Sequence, residues 1–169
     1  MKLIYAVSIL LLALMTSAQG LAEDYHCNFT TMAVDFSTPI GIRASSVEVE
    51  TGTVFVHFGS LHIYLEPFKV TEARESPCTA ANAEALWLMS VREEHSNLTT
   101  TQLNDGFVTF GRYAMGETIF TQAVRTIDNN SDGKTEYWAR WEGLGKLDKD
   151  LITYIATHTM ITHITPNFN

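Results

Sequence analysis

TVFVHFGSLHIYLEP, residues 53–67, is the stretch that decides how this chain folds. It reads as two five-residue strands, Val54–Phe58 and Leu61–Leu65, joined by Gly59 and Ser60. Glycine at the first central position of a two-residue loop favours a type II′ turn, which fixes which residues of the strands face each other. The sequence therefore predicts a β-hairpin with a single register.

The two faces of this hairpin differ in chemistry, because side chains alternate along a strand with a period of two. One face brings His57 opposite His62 and Phe55 opposite Tyr64. Directly opposed residues have Cβ atoms about 4.5–5.5 Å apart, so the two imidazoles should meet. The opposite face is wholly apolar and is predicted to belong to the core: Val54, Val56, Phe58, Leu61, Ile63 and Leu65.

Alternating or β-branched segments predict further strands on both sides of the hairpin. The polar, Thr-rich residues 96–106 are expected to form a loop. The predicted strands cover residues 29–36, 46–51, 107–112, 117–127, 134–141 and 151–160.

Residues 77–95 predict the main helix, because they are rich in Ala and other helix formers. Ser76 and Pro77 suit the N-cap and first-turn positions, and Trp87, Leu88 and Val91 give the helix an apolar side. Strands around one helix predict an α+β fold, a mostly antiparallel sheet with the helix packed on one face. A small closed β-barrel is the alternative.

The first 22 residues have the pattern of a secretory signal peptide: Lys2, an apolar run over 3–15 and a small-residue exit. Gly20 and Ala22 predict cleavage before Glu23, which leaves residues 23–169 as a single exported α+β domain. The alternative is an uncleaved anchor, since this segment could just span a bilayer. We expect no transmembrane segment after cleavage and a secreted or extracytoplasmic protein.

The chain is acidic, with 11 Lys and Arg against 19 Asp and Glu and a formal charge of −8. Loss of the signal segment removes Lys2 and makes that charge one unit more negative. Such a chain repels nucleic acid and anionic lipid, and we exclude both as partners. The expected partner is therefore an extracytoplasmic molecule. Neither its identity nor the oligomeric state follows from these residues.

Cys27 and Cys78 are the only cysteines. In an exported chain, a lone pair of cysteines predicts one disulfide, here closing a loop of about fifty residues. The alternative is a reactive thiol at Cys78, beside a helix start. Asn-x-Ser/Thr sequons predict N-glycosylation at Asn28, Asn97 and Asn129, if the source organism glycosylates exported proteins.

The opposed histidines give a candidate metal site, because two neutral imidazoles at that spacing can share Zn²⁺ or Cu²⁺. A complete site needs a third ligand, and His158 is the candidate if its strand lies beside the hairpin. The alternative is that His57 and His62 simply pack against Phe55 and Tyr64. In either case we expect acid to destabilise the hairpin, since like charges directly opposed repel.

A second candidate cation site has the spacing D-x-N-x-D-G, with Asp128, Asn130 and Asp132 at the ligand positions of a calcium loop. Its second half departs from the pattern: Ala139 stands at the twelfth position, where calcium loops have Glu, although Glu136 lies at the ninth. A loop rich in Asx and Gly also forms without any metal. No cofactor is required by the sequence.

Aromatic side chains on the polar side of the sheet, Phe55, Tyr64 and Trp138, are a candidate binding surface. Common catalytic motifs are missing: there is no G-x-S-x-G, H-E-x-x-H, glycine-rich phosphate loop or C-x-x-C. The leading hypothesis is therefore a non-catalytic exported domain that binds a partner or ligand. Metal binding at the histidine pair is the alternative, and a hydrolase with an unrecognised site is the third.

Overall fold

The structure is a computed structural model that describes residues 21–70, 76–91 and 95–165, without the side chain of Asn97. The signal segment predicted at 1–22 lies, except for its last two residues, outside that part. No described helix is both long and apolar enough to cross a membrane. The elements are β1 (Glu23–Asn28), β2 (Met32–Thr38), β3 (Ser46–Glu50), β4 (Thr53–Phe58), β5 (Leu61–Lys69), α1 (Ala80–Met89), β6 (His95–Leu103), β7 (Gly106–Met115), β8 (Thr118–Ile127), β9 (Tyr137–Leu144), α2 (Lys149–Thr157) and β10 (Met160–His163).

Seven strands form one large sheet in the order β3-β4-β5-β9-β8-β7-β6, and a smaller sheet has the order β1-β2-β10. All strand pairs in these sheets are antiparallel, as predicted. Within the described residues, the outer strands β3 and β6 do not pair with each other. The closed barrel is therefore wrong, and the sheet is open. Exposed Glu48 and Glu50 on β3 discourage a further strand from adding there.

The predicted hairpin is confirmed in strand pairing and register: His57 pairs with His62 and Phe55 with Tyr64. Gly59 has a φ of +64°, the left-handed conformation that a type II′ turn needs at its first central position. The second strand continues past Pro67, because β5 also pairs with β9.

The core lies between the two sheets, and the apolar hairpin face belongs to it, as expected. Val54 and Leu65 are fully buried. Trp141 of β9 meets Phe36 of β2 with ring centroids 5.0 Å apart, and its Nε1 donates to Thr159 Oγ1 at 2.9 Å. The ring contact joins the large sheet to the small one, and the hydrogen bond joins it to the residue before β10.

The main helix is shorter than the predicted 77–95. α1 covers Ala80–Met89, and its N-cap is Thr79, whose side chain accepts a hydrogen bond from the Asn82 N–H at 3.3 Å. Pro77 is not in the first turn; it forms an isolated bridge with the loop between β8 and β9. Residues 92–94 lie outside the described part, and the chain is a strand again from residue 95.

Two predictions about secondary structure are wrong. Residues 151–160, predicted as a strand, belong mostly to α2, which Asp148 caps and which buries Ile152, Ile155 and Ala156. Their spacing of three and four residues is helical, and it outweighs the β-branched composition. The predicted loop at 96–106 is mostly the edge strand β6, because its threonines suit a half-exposed sheet surface.

The predicted disulfide does not form. Both cysteines are free thiols. Cys27 is buried in the core on β1, whereas the Cys78 N–H donates to Gly133 O, beside the loop that joins β8 and β9. The pairing of β1 with β2 and the start of α1 at this loop place the two thiols in different parts of the domain.

Candidate functional site

α1 covers only part of the sheet face on which it lies. It packs on β6, β7 and β8. The Trp87 ring is fully buried over Gly111, where an added Cβ would come within 2.4 Å of the ring. Directly paired residues share a face, and one row runs across the sheet from beneath this ring to β4: Gly111, Gln122, Glu142, Tyr64 and Phe55.

The part of this face that lies on β4, β5 and β9 is named here the aromatic face. Its side chains are half-buried apart from His62, which is exposed. The three predicted surface aromatics, Phe55, Tyr64 and Trp138, all belong to it. Its members are Phe55, His57, His62, Tyr64, Glu66, Phe68, Trp138 and Arg140.

Cross-strand pairs hold the aromatic rings in place. Phe68 and Trp138 stack with centroids 4.0 Å apart and planes 11° from parallel. Phe55 and Tyr64 lie 6.5 Å apart in a tilted arrangement. Because Phe68 and Trp138 each use one ring face on the other, the outer faces and edges remain for a partner.

Glu142 lies where the aromatic face meets the helix-covered part, and it is only 6% exposed. Its Oε1 accepts from the Tyr64 hydroxyl, and its Oε2 accepts from the Tyr113 hydroxyl at 2.7 Å. Burial, and then the hydrogen bond and charge of Glu142, raise the pKa of both tyrosines. Both phenols therefore stay protonated donors that satisfy a buried carboxylate.

An ion pair joins Glu66 to Arg140 across β5 and β9. Both side chains keep some exposure, 29% for Glu66 and 23% for Arg140. The Arg140 Nε is buried without a hydrogen-bond acceptor among the described residues. The pair thus places a positive and a negative charge side by side at the centre of the aromatic face.

The two hairpin histidines meet, as their register predicts. Their Nδ1 atoms are 2.5 Å apart, and their rings are edge to face with centroids at 4.6 Å. At this distance one nitrogen donates and the other accepts. His158 is elsewhere: it caps α2, stacks on Tyr154 and bonds that residue's carbonyl through Nδ1. The structure does not bring it to the pair, so the three-histidine site stays a prediction.

The calcium-like loop holds three carboxylates together. In the described part of the chain, Asp128, Asp132 and Glu136 are the one set of three metal-ligating side chains with ligand atoms within 4.8 Å of one another. Two of these carboxylates already accept hydrogen bonds within the loop. Asp128 accepts from the backbone N–H groups of Asp132 and Gly133. Glu136 accepts from the Asn129 backbone N–H and the Asn130 side-chain amide. A calcium site here stays a prediction.

The three sequons have different surroundings. Asn28 is exposed at the end of β1, with its Oδ1 3.0 Å from His26 Nε2. The Asn129 Nδ2, the atom a glycan would use, donates to Ile161 O at 2.9 Å. The side chain of Asn97 lies outside the described part. Glycosylation at all three stays a prediction.

Sequence reasoning missed Glu142, Tyr113 and Phe68 as neighbours of the predicted aromatics. Alternation along the predicted strand 134–141 could have found Glu142, because it continues the polar face of Trp138 and Arg140. Tyr113 could not be found in this way, since it joins the cluster only through the order of strands in the sheet.

No known protein-family model matches the chain, and no curated protein is significantly similar to it. Its function must therefore be inferred from its own residues.

Proposed function

We propose that the chain is a non-catalytic binding domain and that the aromatic face is its binding surface. The observation that carries this proposal is a tryptophan, a tyrosine and an arginine half-buried together on one sheet face. These three residue types dominate the binding energy of protein interfaces. In the described structure α1 packs on the neighbouring strands of that face, and these side chains keep their exposure.

The chemistry of the Glu142 cluster supports binding rather than catalysis. A general acid or base works best with a pKa near the working pH. Here the pKa values of Tyr64 and Tyr113 are shifted upward, away from neutrality. Each Glu142 oxygen already accepts a phenol hydrogen bond. The cluster stabilises the surface and holds Tyr64 in a fixed orientation.

The partner that fits this face best is a second copy of the chain. The chain is strongly acidic, so two copies repel each other over most of their surface. The aromatic face is an exception, because the charges of its half-buried Glu66 and Arg140 cancel. In a twofold dimer the same pair can exchange partners between copies. Two sheets also pack face to face at about 10 Å, with their side chains interdigitated.

The size of the surface sets the expected strength. A standard stable interface uses about 20–30 residues on each side. The aromatic face has eight side chains, so we expect a dimer that dissociates on dilution. A heterologous protein partner or an oligosaccharide would leave the isolated chain monomeric.

The test is light scattering coupled to size-exclusion chromatography over a range of concentrations, on the wild type and two charge variants. We expect the wild type to shift toward the mass of two chains as concentration rises, and Phe55→Lys to remain monomeric. Lys at position 55 would face Glu48 of β3, which limits the cost to the fold. The control is Met89→Lys, at an apolar side chain 79% exposed on α1. Monomeric wild type, or equal dimerisation of Phe55→Lys, would overturn the second-copy assignment.

The domain is proposed to act outside the cytosol. Its first strand begins at Glu23, the residue that would follow signal cleavage. Cleavage there would leave every described strand and helix intact. Mass spectrometry of the exported protein is expected to give Glu23 as its first residue; a retained Met1 would contradict the assignment.

A second candidate function is metal binding at His57 and His62, favoured by the convergence of their Nδ1 atoms. Two nitrogens on one tetrahedral Zn²⁺ lie about 3.3 Å apart, given Zn–N bonds of about 2.0–2.1 Å. The observed 2.5 Å would therefore have to open slightly. After chelator treatment, Zn²⁺ or Cu²⁺ should raise the melting temperature of the wild type but not of His57→Ala. An equal rise in both would eliminate this site.

A further inference from the structure

A cleft of about 310 Å³ opens at the start of β6, at the edge of the large sheet. The strand pairing explains why it is there. The register of β6 against β7 shifts between Ser96 and Thr99, so the edge strand is interrupted at this point. Lys146, from the turn after β9, lines the opposite side.

The cleft is positively charged in a chain that is otherwise acidic. Arg112 and Lys146 both line it. Neither Arg112 nor Lys146 has a carboxylate within 4.0 Å among the described residues. Their charges are therefore not neutralised by an ion pair.

Neutral acceptors hold the Arg112 guanidinium in place. Its Nη2 donates to Leu147 O at 3.0 Å, and its Nε donates to Thr121 Oγ1 at 3.4 Å. Its Nη1 has no hydrogen-bond partner within the described part of the chain, which leaves N–H donors for a ligand. The guanidinium also lies 5.5 Å from the centroid of the Phe110 ring, which limits its motion.

The remaining lining sets the size and polarity of a ligand. Ala114 and Ile119 offer an apolar wall, and Ser96 a hydroxyl. About 310 Å³ accommodates on the order of ten non-hydrogen atoms, since a liquid water occupies about 30 Å³. The nearest acidic residue in sequence to Lys146 is Asp148, whose carboxylate accepts from the Asp150 N–H as the cap of α2.

We propose that this cleft binds a small organic anion, with its phosphate or carboxylate group between Arg112 and Lys146 and its apolar part against Ala114 and Ile119. Arginine presents N–H donors in a geometry that suits both anionic groups, and lysine adds a point charge. This site is separate from the proposed dimer surface and does not depend on it.

The experiment is a titration of ¹⁵N-labelled protein with phenyl phosphate, benzoate and phenol, followed by amide chemical shifts. These probes share an aromatic body and differ in charge. We expect saturable shifts at the amides of Ser96 and Ala114, with a dissociation constant of about 1 mM or tighter for the preferred anion. Whether phenyl phosphate or benzoate binds more tightly identifies the anionic group. Phenol is expected to cause no saturable shift.

Two variants test whether the charge of Lys146 contributes to anion binding. Lys146→Gln, at an exposed position, should weaken anion binding about fivefold or more. Arg43→Gln removes the same charge from a side chain that is 81% exposed and paired with Glu23 on the small sheet, and it should leave binding unchanged. Equal binding by Lys146→Gln and wild type, equal binding of phenol and the anions, or no saturable shifts would overturn the proposal.

Discussion

Two tryptophans on one face of the large sheet have opposite environments. Trp87 of α1 is completely buried, with its ring over Gly111 and its Nε1 directed at Gln122 O. Trp138 of β9 is half-exposed and stacks on Phe68 of the neighbouring strand. The helix thus completes the core on one part of the face, whereas the other part keeps large aromatic side chains in contact with water. These half-exposed aromatic side chains are the basis of the proposed binding surface.

The largest expected effect separates these two tryptophans. Trp87→Ala should lower the free energy of unfolding by about 3–5 kcal/mol, because it leaves a cavity under α1. Trp138→Ala should lower the free energy of unfolding by about 1 kcal/mol, because it removes one aromatic stack and a partly buried ring. Denaturant unfolding of both variants would measure the difference. Comparable losses would mean that Trp138 is structural, and the contrast between the two parts of the face would fail.

A second, intermediate effect is expected at the boundary between the two parts. Tyr113 contacts the Trp87 ring and donates to Glu142. Tyr113→Phe should lower the free energy of unfolding at neutral pH by about 1.5–3 kcal/mol, since a hydrogen bond to a buried carboxylate is lost. The matched control is Tyr137→Phe: this residue is only 5% exposed, and its hydroxyl makes no hydrogen bond within the described residues.

The same variant should change the response to alkali. Folding raises the Tyr113 pKa, so the folded state holds this proton more tightly than the unfolded state. The corresponding stabilisation is fully present below the unfolded pKa of about 10 and is lost as the pH rises above it. The difference between wild type and Tyr113→Phe should therefore be constant from neutral pH to about 9 and shrink above about 10. A difference that stays constant above that pH would contradict the assignment.

The sequence predicted correctly those parts of the fold that depend on residues close together along the chain. The turn at Gly59 set the hairpin register, and alternation placed Val54 and Leu65 on the core side, where both are fully buried. The aromatic surface at Phe55 followed from the same alternation. These features depend on residues a few positions apart, and their prediction needs no knowledge of strand order.

Errors arose where contacts distant in sequence decide the structure. The segment 151–160 has a strand-like composition, but Ile152 and Ile155 are on the buried side of a helix. Threonine-rich β6 became a strand because β7 was available to pair with it. The disulfide prediction was wrong for a related reason. Two cysteines in an exported chain do not reveal where β1, which carries Cys27, lies in the fold. The Glu142 cluster likewise required the neighbouring order β5-β9-β8-β7.

The smallest expected effect is at the histidine pair, on the two strands β4 and β5 of the aromatic face. The Nδ1 atoms are 2.5 Å apart, so the contact has room for one shared proton and not for two. His57→Ala removes this contact and should lower the free energy of unfolding at neutral pH by about 0.5–1 kcal/mol, since one hydrogen bond on a partly exposed surface is lost.

Denaturant unfolding would measure this loss, with His163→Ala as the control, because His163 is exposed on β10 and its side chain makes no hydrogen bond within the described residues. Equal losses in the two variants would mean that the contact between His57 and His62 adds nothing to the stability of the hairpin.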